Sequence, residues 1–258
     1  MFADDVVLLN DTKEKAEQEL EQWREALENR GMRLSRTKTE YMCVGQRSTK
    51  PAILMQGEVV PETCEFKYLG STIQKHGDCG TEVKRRTQAG WNSWRKVTGV
   101  MCDRRMPNEL KGNVYKAVVR PAMMYGMETV PLTKKQEREL EVTEMRMLRW
   151  TLGLTKLDRE RNENVRERLG VEEISRKIRE SRLRWFGHVE RRDTEYVGKR
   201  VLEMEIAGKR KRGRPKRRWM DCIEKDMSEV GLEVEDVLDR KLWRNGIYCG
   251  YPASSGTG

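Results

Sequence analysis

The residues with the clearest capacity for chemistry stand near the start of the chain, where Asp4 and Asp5 adjoin, preceded by Phe2-Ala3 and followed by Val6-Val7-Leu8-Leu9. Two carboxylates this close repel each other, and a low-dielectric wall beside them raises the cost of ionising both. The usual compensation is a divalent cation with oxygen ligands. A bare Asp-Asp pair is most often a solvated turn. The flank argues for more, because an apolar, partly β-branched run reads as a buried strand entered directly from a turn.

Elements able to position such a strand follow in order. Ala16, Leu20, Trp23 and Leu27 recur at spacings of four, three and four, the apolar stripe of a helix that Asp11 can cap, with Glu14 three residues on, and that Gly31 ends. The stripe reads as core packing. Residues 39–44 alternate as a strand, with Lys38 placed as an exposed lysine at its edge. Residues 53–60 read as a hairpin turning at Gln56-Gly57, and residues 65–73 as a further strand or hairpin containing Phe66-Lys67-Tyr68-Leu69-Gly70. That string is either an aromatic strand ending in a turn or a place where glycine admits a second backbone.

Beyond residue 77 the pattern becomes helical. Residues 83–100 carry Trp91, Trp94 and Val97 at helical spacing, and residues 110–119 carry a second stripe before Pro121 breaks it. Residues 122–130 and 133–154 follow, the latter with Thr133 as a cap and Leu140, Met147 and Leu148 turned inward. Arg85, Arg86, Arg95 and Lys96 are able to face a nucleic-acid backbone, although such runs are usually solvated faces. From residue 158 the helices are shorter and more charged, with Gly170 between two of them. In the segment Arg182-Leu-Arg-Trp-Phe-Gly-His-Val-Glu190, Trp185 and Phe186 read as anchors of a small helical core. Base stacking is the less favoured alternative, and His188 reads as a packed histidine. Helices resume over residues 219–243, and residues 251–258 read as disordered.

Hydrophobic residues make up 36% of the 258 and charged residues another 36%, so the core is small for the length. No apolar run approaches the ~20 residues of a membrane helix. Asp4 and Asp5 stand where a signal peptide would be bare of charge, so the chain reads as intracellular, with no membrane partner. The six cysteines are scattered without a Cys-x-x-Cys pair and the only histidines are His76 and His188, which argues against structural zinc and for reduced thiols.

The net charge of +10 comes from 52 basic and 42 acidic residues, and its excess is concentrated. Lys209, Arg210, Lys211, Arg212, Arg214, Lys216, Arg217 and Arg218 form one tract without an acid, leaving +2 for the rest of the chain. Arg212-Gly213-Arg214-Pro215 looks like an AT-hook core, in which arginines enter the narrow minor groove of A·T-rich DNA and glycine permits the close fit. The plainer reading is a nuclear-localisation or phosphate-binding tract. Either reading places the chain with RNA and DNA, in the nucleus.

Together these segments resemble the reverse transcriptases of non-LTR (LINE-type, RTE-like) retrotransposons. Phe2-Ala3-Asp4-Asp5 is similar to their F/Y-A-D-D catalytic hairpin. Gly31 to Thr39 is similar to their G-x-x-L-x-x-x-K-T element, and Phe66-Lys67-Tyr68-Leu69-Gly70 to the string that grips the primer end. The R-L-R-W-F-G-H-V-x-R and G-R-P-x-x-R-W strings after residue 181 are typical of the region behind the thumb in RTE-like elements. The resemblance implies an α+β fold: a partial polymerase palm of β-hairpins plus a helix over residues 1–75, a helical thumb over 76–155, and a basic helical C-terminal region over 156–258 with its tract at 209–218. It also implies that Asp4 and Asp5 ligate Mg²⁺, that Lys38 supplies charge or a proton to departing pyrophosphate, and that Phe66, Lys67, Tyr68, Leu69 and Gly70 hold the primer. The family's site uses a further aspartate from an earlier palm strand, and its fingers bind template and nucleotide. With methionine one residue before the hairpin, the expectation is a truncated reading frame, inactive alone; a non-enzymatic nucleic-acid-binding protein of retroelement origin is the competing class.

Because the excess charge lies in one tract, affinity for duplex DNA is expected to fall with salt at a log–log slope of about −3.6 if four of the eight side chains neutralise phosphates. Titrations at several salt concentrations check this, and a flat response, or affinity unchanged after deletion of residues 209–218, contradicts it.

Overall fold

A threonine hydroxyl starts the first helix: Thr12 Oγ1 accepts the Lys15 N–H at 3.4 Å, so the cap is Thr12 rather than the expected Asp11. The computed structural model describes residues 5–44, 52–75, 77–204 and 217–250. It is helix-rich with a few short strands, a mixed α+β chain dividing into two units, Met1–Glu82 and Val83–Gly258.

In the first unit, α1 (Lys13–Glu28) buries none of its residues, and its stripe of Ala16, Leu20, Trp23 and Leu27 is only half-buried. Polar clamps hold it instead. Glu17 accepts the Leu54 N–H at 2.8 Å and Glu21 the Gln56 N–H at 2.5 Å, tying α1 to the hairpin of β1 (Leu54–Met55) and β2 (Glu58–Val59). That hairpin turns at Gln56 (φ 53°) and Gly57 (φ 78°), both left-handed as a two-residue turn of this twist requires. A second hairpin, β3 (Glu65–Tyr68) with β4 (Ser71–Gln74), repeats the device at Leu69 (φ 49°) and Gly70 (φ 78°). The positive φ of Gly70 thus serves its own turn.

Two expected strands do not appear among the described residues. Residues 39–44 reduce to one parallel bridge, Tyr41 with Glu62, because Thr39 turns back on itself: its N–H and its hydroxyl both donate to the Ser35 carbonyl, at 3.0 and 2.9 Å. Beyond a bridge residue at Asp5, residues 6–9 make no ladder among the described residues; Val6, Val7 and Leu8 are half-buried and Leu9 is 87% exposed. Met55 and Val60 are the buried apolar side chains described in this unit.

α2 (Gly80–Lys96) leads into the second unit, followed by α3 (Thr98–Met101), α4 (Asn108–Val114), α5 (Arg120–Met124), α6 (Lys134–Thr151), α7 (Asn162–Leu169), α8 (Ile174–Glu190), α9 (Val197–Glu203), α10 (Trp219–Val230) and α11 (Arg240–Ile247). Pro121 does not break the chain as expected. A proline lacks the N–H and its ring crowds the carbonyl four residues back. The backbone widens into a π turn over Tyr115–Val119 and continues with Pro121 in the first turn of α5. Thr133 caps α6 as expected, in a reciprocal box with Gln136. Gly170 ends α7 in the left-handed conformation.

Two apolar clusters fill this unit. One joins α2 to α8 through Val83, Tyr115, Met123, Leu140, Met147, Leu148, Leu169 and Ile178; the other joins Leu183 and Phe186 of α8 to Ile223, Met227, Trp243 and Ile247. α4 meets α7 so closely that a Cβ on Gly112 would lie 1.7 Å from the Leu169 carbonyl oxygen. At the centre of the first cluster sits a fully buried carboxylate, Glu144 of α6. Tyr115 Oη donates to it at 2.9 Å, Arg120 Nη2 at 2.6 Å and the Ile174 N–H at 3.0 Å, while Arg166 Nε lies 3.8 Å away. Burial, then the neighbouring carboxylate, pushes the Tyr115 hydroxyl well above its usual range, so it remains a donor. Burial opposes the Arg120 charge, but Glu144 and Tyr115 outweigh it and hold the guanidinium protonated.

Glu144→Ala leaves buried guanidinium charge uncompensated and is expected to cost about 3–5 kcal/mol in urea unfolding, against less than about 0.5 kcal/mol for the exposed Lys134→Ala. A Glu144→Ala loss below about 1 kcal/mol contradicts this account of the core.

Candidate nucleic-acid interface

Asp5 is exposed at its bridge, and Asp4 lies outside the described residues. The carboxylate oxygens of Asp5 suit Mg²⁺, but one described ligand is not a site. No group of three or more His, Cys, Asp or Glu able to hold a metal ion occurs among the described residues. Lys38 is exposed in a short 3₁₀ turn, Arg36–Lys38, rather than at a strand edge.

The five residues expected to hold a primer occupy β3 and its turn. Phe66 and Tyr68 are half-buried on one face, Lys67 is exposed on the other, and Leu69 and Gly70 form the exposed turn. The hairpin is fixed from one side: Thr72 donates its N–H to the buried Glu82 at 2.8 Å, and Gln74 Nε2 donates to Thr81 Oγ1 at 2.9 Å. Lys67, opposite Thr72 in the ladder, is thus displayed on a hairpin whose register is pinned.

Of the basic tract, Lys209, Arg210, Lys211, Arg212, Arg214 and Lys216 lie outside the described residues, and the last two positions are described. Arg217 donates to the Leu132 carbonyl at 2.7 Å and lies 4.0 Å from Glu137. Arg218 is exposed, its N–H held at 2.8 Å by Asp221 at the start of α10. The neighbouring Trp219 gives its indole N–H to the Glu128 carbonyl at 2.8 Å and lies 6.3 Å from Phe186. The C-terminal end of the tract is therefore anchored on residues 128–137, a role that the Arg-Trp pair alone did not disclose.

The segment around Trp185 divides by face. Arg182 is buried in a 2.6 Å ion pair with Asp226, whose carboxyl burial pushes up while Arg182 holds it down. Leu183 and Phe186 are core, and Gly187 is required because a Cβ there would lie 2.4 Å from Trp243 Nε1. Trp185 is not a core anchor: it is 37% exposed and stacks on the half-buried His188, centroids 5.5 Å apart. On α2, Arg86 is buried over the Tyr125 ring at 4.8 Å, whereas Arg95 and Lys96 are exposed. Along α6 and the loop after it, Lys134, Arg138, Arg146, Arg149, Lys156 and Arg159 line a groove of about 690 Å³, interleaved with Glu137, Glu141, Glu160 and Glu173. This mixed-charge groove follows from the packing of α6 against α7 and had no local signal in the sequence.

Residues 1–73 match the reverse transcriptase (RNA-dependent DNA polymerase) family. The chain is 26% identical over 262 residues to a transposon-derived protein of Caenorhabditis elegans, covering 94% of this chain and 92% of that protein. No solved structure matches. The chain is thus similar to a transposon-derived protein over nearly its whole length, with the reverse transcriptase match lying in its first part. Among the described residues, no helix is long and apolar enough to cross a membrane.

Proposed function

We propose that the chain is the C-terminal part of an RNA-directed DNA polymerase of a non-LTR retrotransposon, of the LINE, RTE-like type, working on RNA and DNA in the nucleus. The observation that carries the reading is the reverse transcriptase match over residues 1–73, a span that contains Asp4, Asp5, Lys38 and Phe66 to Gly70. On this reading residues 1–75 complete a palm, 76–155 form the thumb, and 156–258 form a basic nucleic-acid-binding region.

Asp4 and Asp5 are the carboxylates that would hold Mg²⁺, which when bound supplies Lewis-acid stabilisation of phosphoryl charge. Lys38, exposed in its turn, brings a cation toward the departing pyrophosphate. Lys67 meets the primer backbone from the exposed face of β3, while Phe66 and Tyr68 hold that strand from beneath. The alternative, a nucleic-acid-binding protein without polymerase chemistry, is favoured by one observation: among the described residues, nearly all the buried apolar side chains belong to residues 83–250.

Complementation separates the two. Supplying an upstream segment from a related element, with its fingers, palm strand and aspartate, is expected to give Mg²⁺-dependent primer extension that Asp4→Asn and Asp5→Asn each abolish, while the chain by itself binds nucleic acid without extending a primer. Extension by the unaided chain contradicts the need for that segment; complemented extension that survives both substitutions contradicts the assignment of the carboxylates.

A further inference from the structure

Three tryptophans far apart in sequence meet at one end of α2 and α6. Trp91 and Trp94 lie 5.9 Å apart, and Trp150 lies 5.3 Å from Trp91 and 5.7 Å from Trp94, centroid to centroid. In an ordinary core all three would be covered. Here Trp94 is 5% exposed but Trp150 is 58% exposed. Beside them is a cavity of about 480 Å³ lined by Trp94, Cys102, Trp150, Leu154, Thr155 and Lys156, within the size range of small-molecule sites.

A second, independent feature marks the same place. Trp219 and Trp243 give their indole N–H groups to backbone carbonyls, at 2.8 and 3.2 Å. The Nε1–H of Trp94 is buried and has no acceptor among the described residues. An orphaned buried donor is costly and uncommon, and this one belongs to a residue that lines the cavity. Lys156 lines the cavity and is exposed, while the carboxylate of Asp158 is engaged by the N–H and hydroxyl of Thr155, at 2.6 and 2.8 Å; Arg95 and Lys96, in the last turn of α2, are exposed.

An exposed aromatic face and an adjoining cation describe complementarity to a planar ring attached to phosphate. We propose that Trp150, backed by the buried Trp94, presents a stacking face for one unpaired base of a single-stranded nucleic acid, with Lys156 taking the adjoining phosphate. A duplex does not fit this description, because its base faces are covered by their neighbours. The inference rests on the nucleic-acid function proposed above and adds to it a preference for single strands at the end of the thumb-like region.

The test measures binding of the full chain to a labelled single-stranded oligonucleotide and to a duplex of the same sequence, across a salt series. Trp150→Ala is expected to weaken single-strand binding about tenfold or more and duplex binding by less than about twofold, without changing the salt slope, because tryptophan carries no charge. Trp150→Leu, which keeps apolar cover, is expected to match it, and Trp150→Phe to retain most of the affinity. Lys156→Ala is expected to make the single-strand slope shallower by about 0.7. Unchanged single-strand affinity in both Trp150→Ala and Trp150→Leu overturns the pocket and leaves the functional reading standing, as does an equal loss for both nucleic acids. Loss of self-association with nucleic-acid affinity intact overturns it in favour of a protein contact. Failure of the unmodified chain to bind either strand overturns the pocket and the functional reading together.

Discussion

The second unit depends on a carboxylate with nowhere to put its charge except onto its neighbours. Glu144 accepts from Tyr115 on the π turn, from Arg120 on α5 and from the first N–H of α8, with Arg166 of α7 close by. Each donor comes from a different element, so one side chain fixes the mutual placement of four. An aliphatic residue of similar volume would avoid the desolvation cost, and buried pairs of this kind are seldom the source of net stability. What they enforce is geometry: a slip of α8 by one residue would leave a buried charge unmatched, which is far costlier than a slip between two apolar faces. The Arg182 pair with Asp226 repeats the arrangement between α8 and α10, and Lys177 extends it by donating to Glu180 and to the Cys249 carbonyl, at 2.7 and 2.6 Å.

The reverse transcriptase-like unit is built on other terms. Its hairpins are tight-turned and two-stranded, α1 is tied to β1 by carboxylates accepting backbone N–H groups, and its described apolar burial is small. Two-stranded hairpins are marginal without a covering face. Hydrophobic residues are only 36% of the sequence, and the two apolar clusters among the described residues both lie between α2 and α11. The residues most suggestive of chemistry thus stand on the less consolidated unit, while the tryptophan pocket stands on the better consolidated one.

Elements defined by local chemistry were legible. Gln56-Gly57 marked its hairpin because left-handed turn positions have few occupants, Thr133 marked the start of α6, and Gly170 marked the end of α7. Features decided by distant partners were not. The strand expected after Lys38 was lost to hydrogen bonds from Thr39 back to Ser35, Pro121 was absorbed by a widened turn, and Trp185 faced outward although its neighbour Phe186 is core. Glu144 looked like one more charge on a charged helix, and Trp150 like one more position of α6, since burial at one and exposure at the other depend on residues dozens of positions away. The carboxylates of the candidate site were legible as a pair, but a pair states neither its further ligands nor its surroundings.

Consolidation of the two units is unequal: a helical unit is locked by buried charge, and a reverse transcriptase-like unit is held mainly by turns and exposed polar clamps. Hydrogen exchange of the full chain, resolved by residue, tests it most directly. Amides of α6 and α8 around Glu144 and Ile174 are expected to exchange only through global unfolding and to share one high protection, while amides of α1 and the two hairpins exchange at least about a hundredfold faster through local opening. Equal protection of the two units, or slower exchange in the hairpins than in α6, would contradict the account.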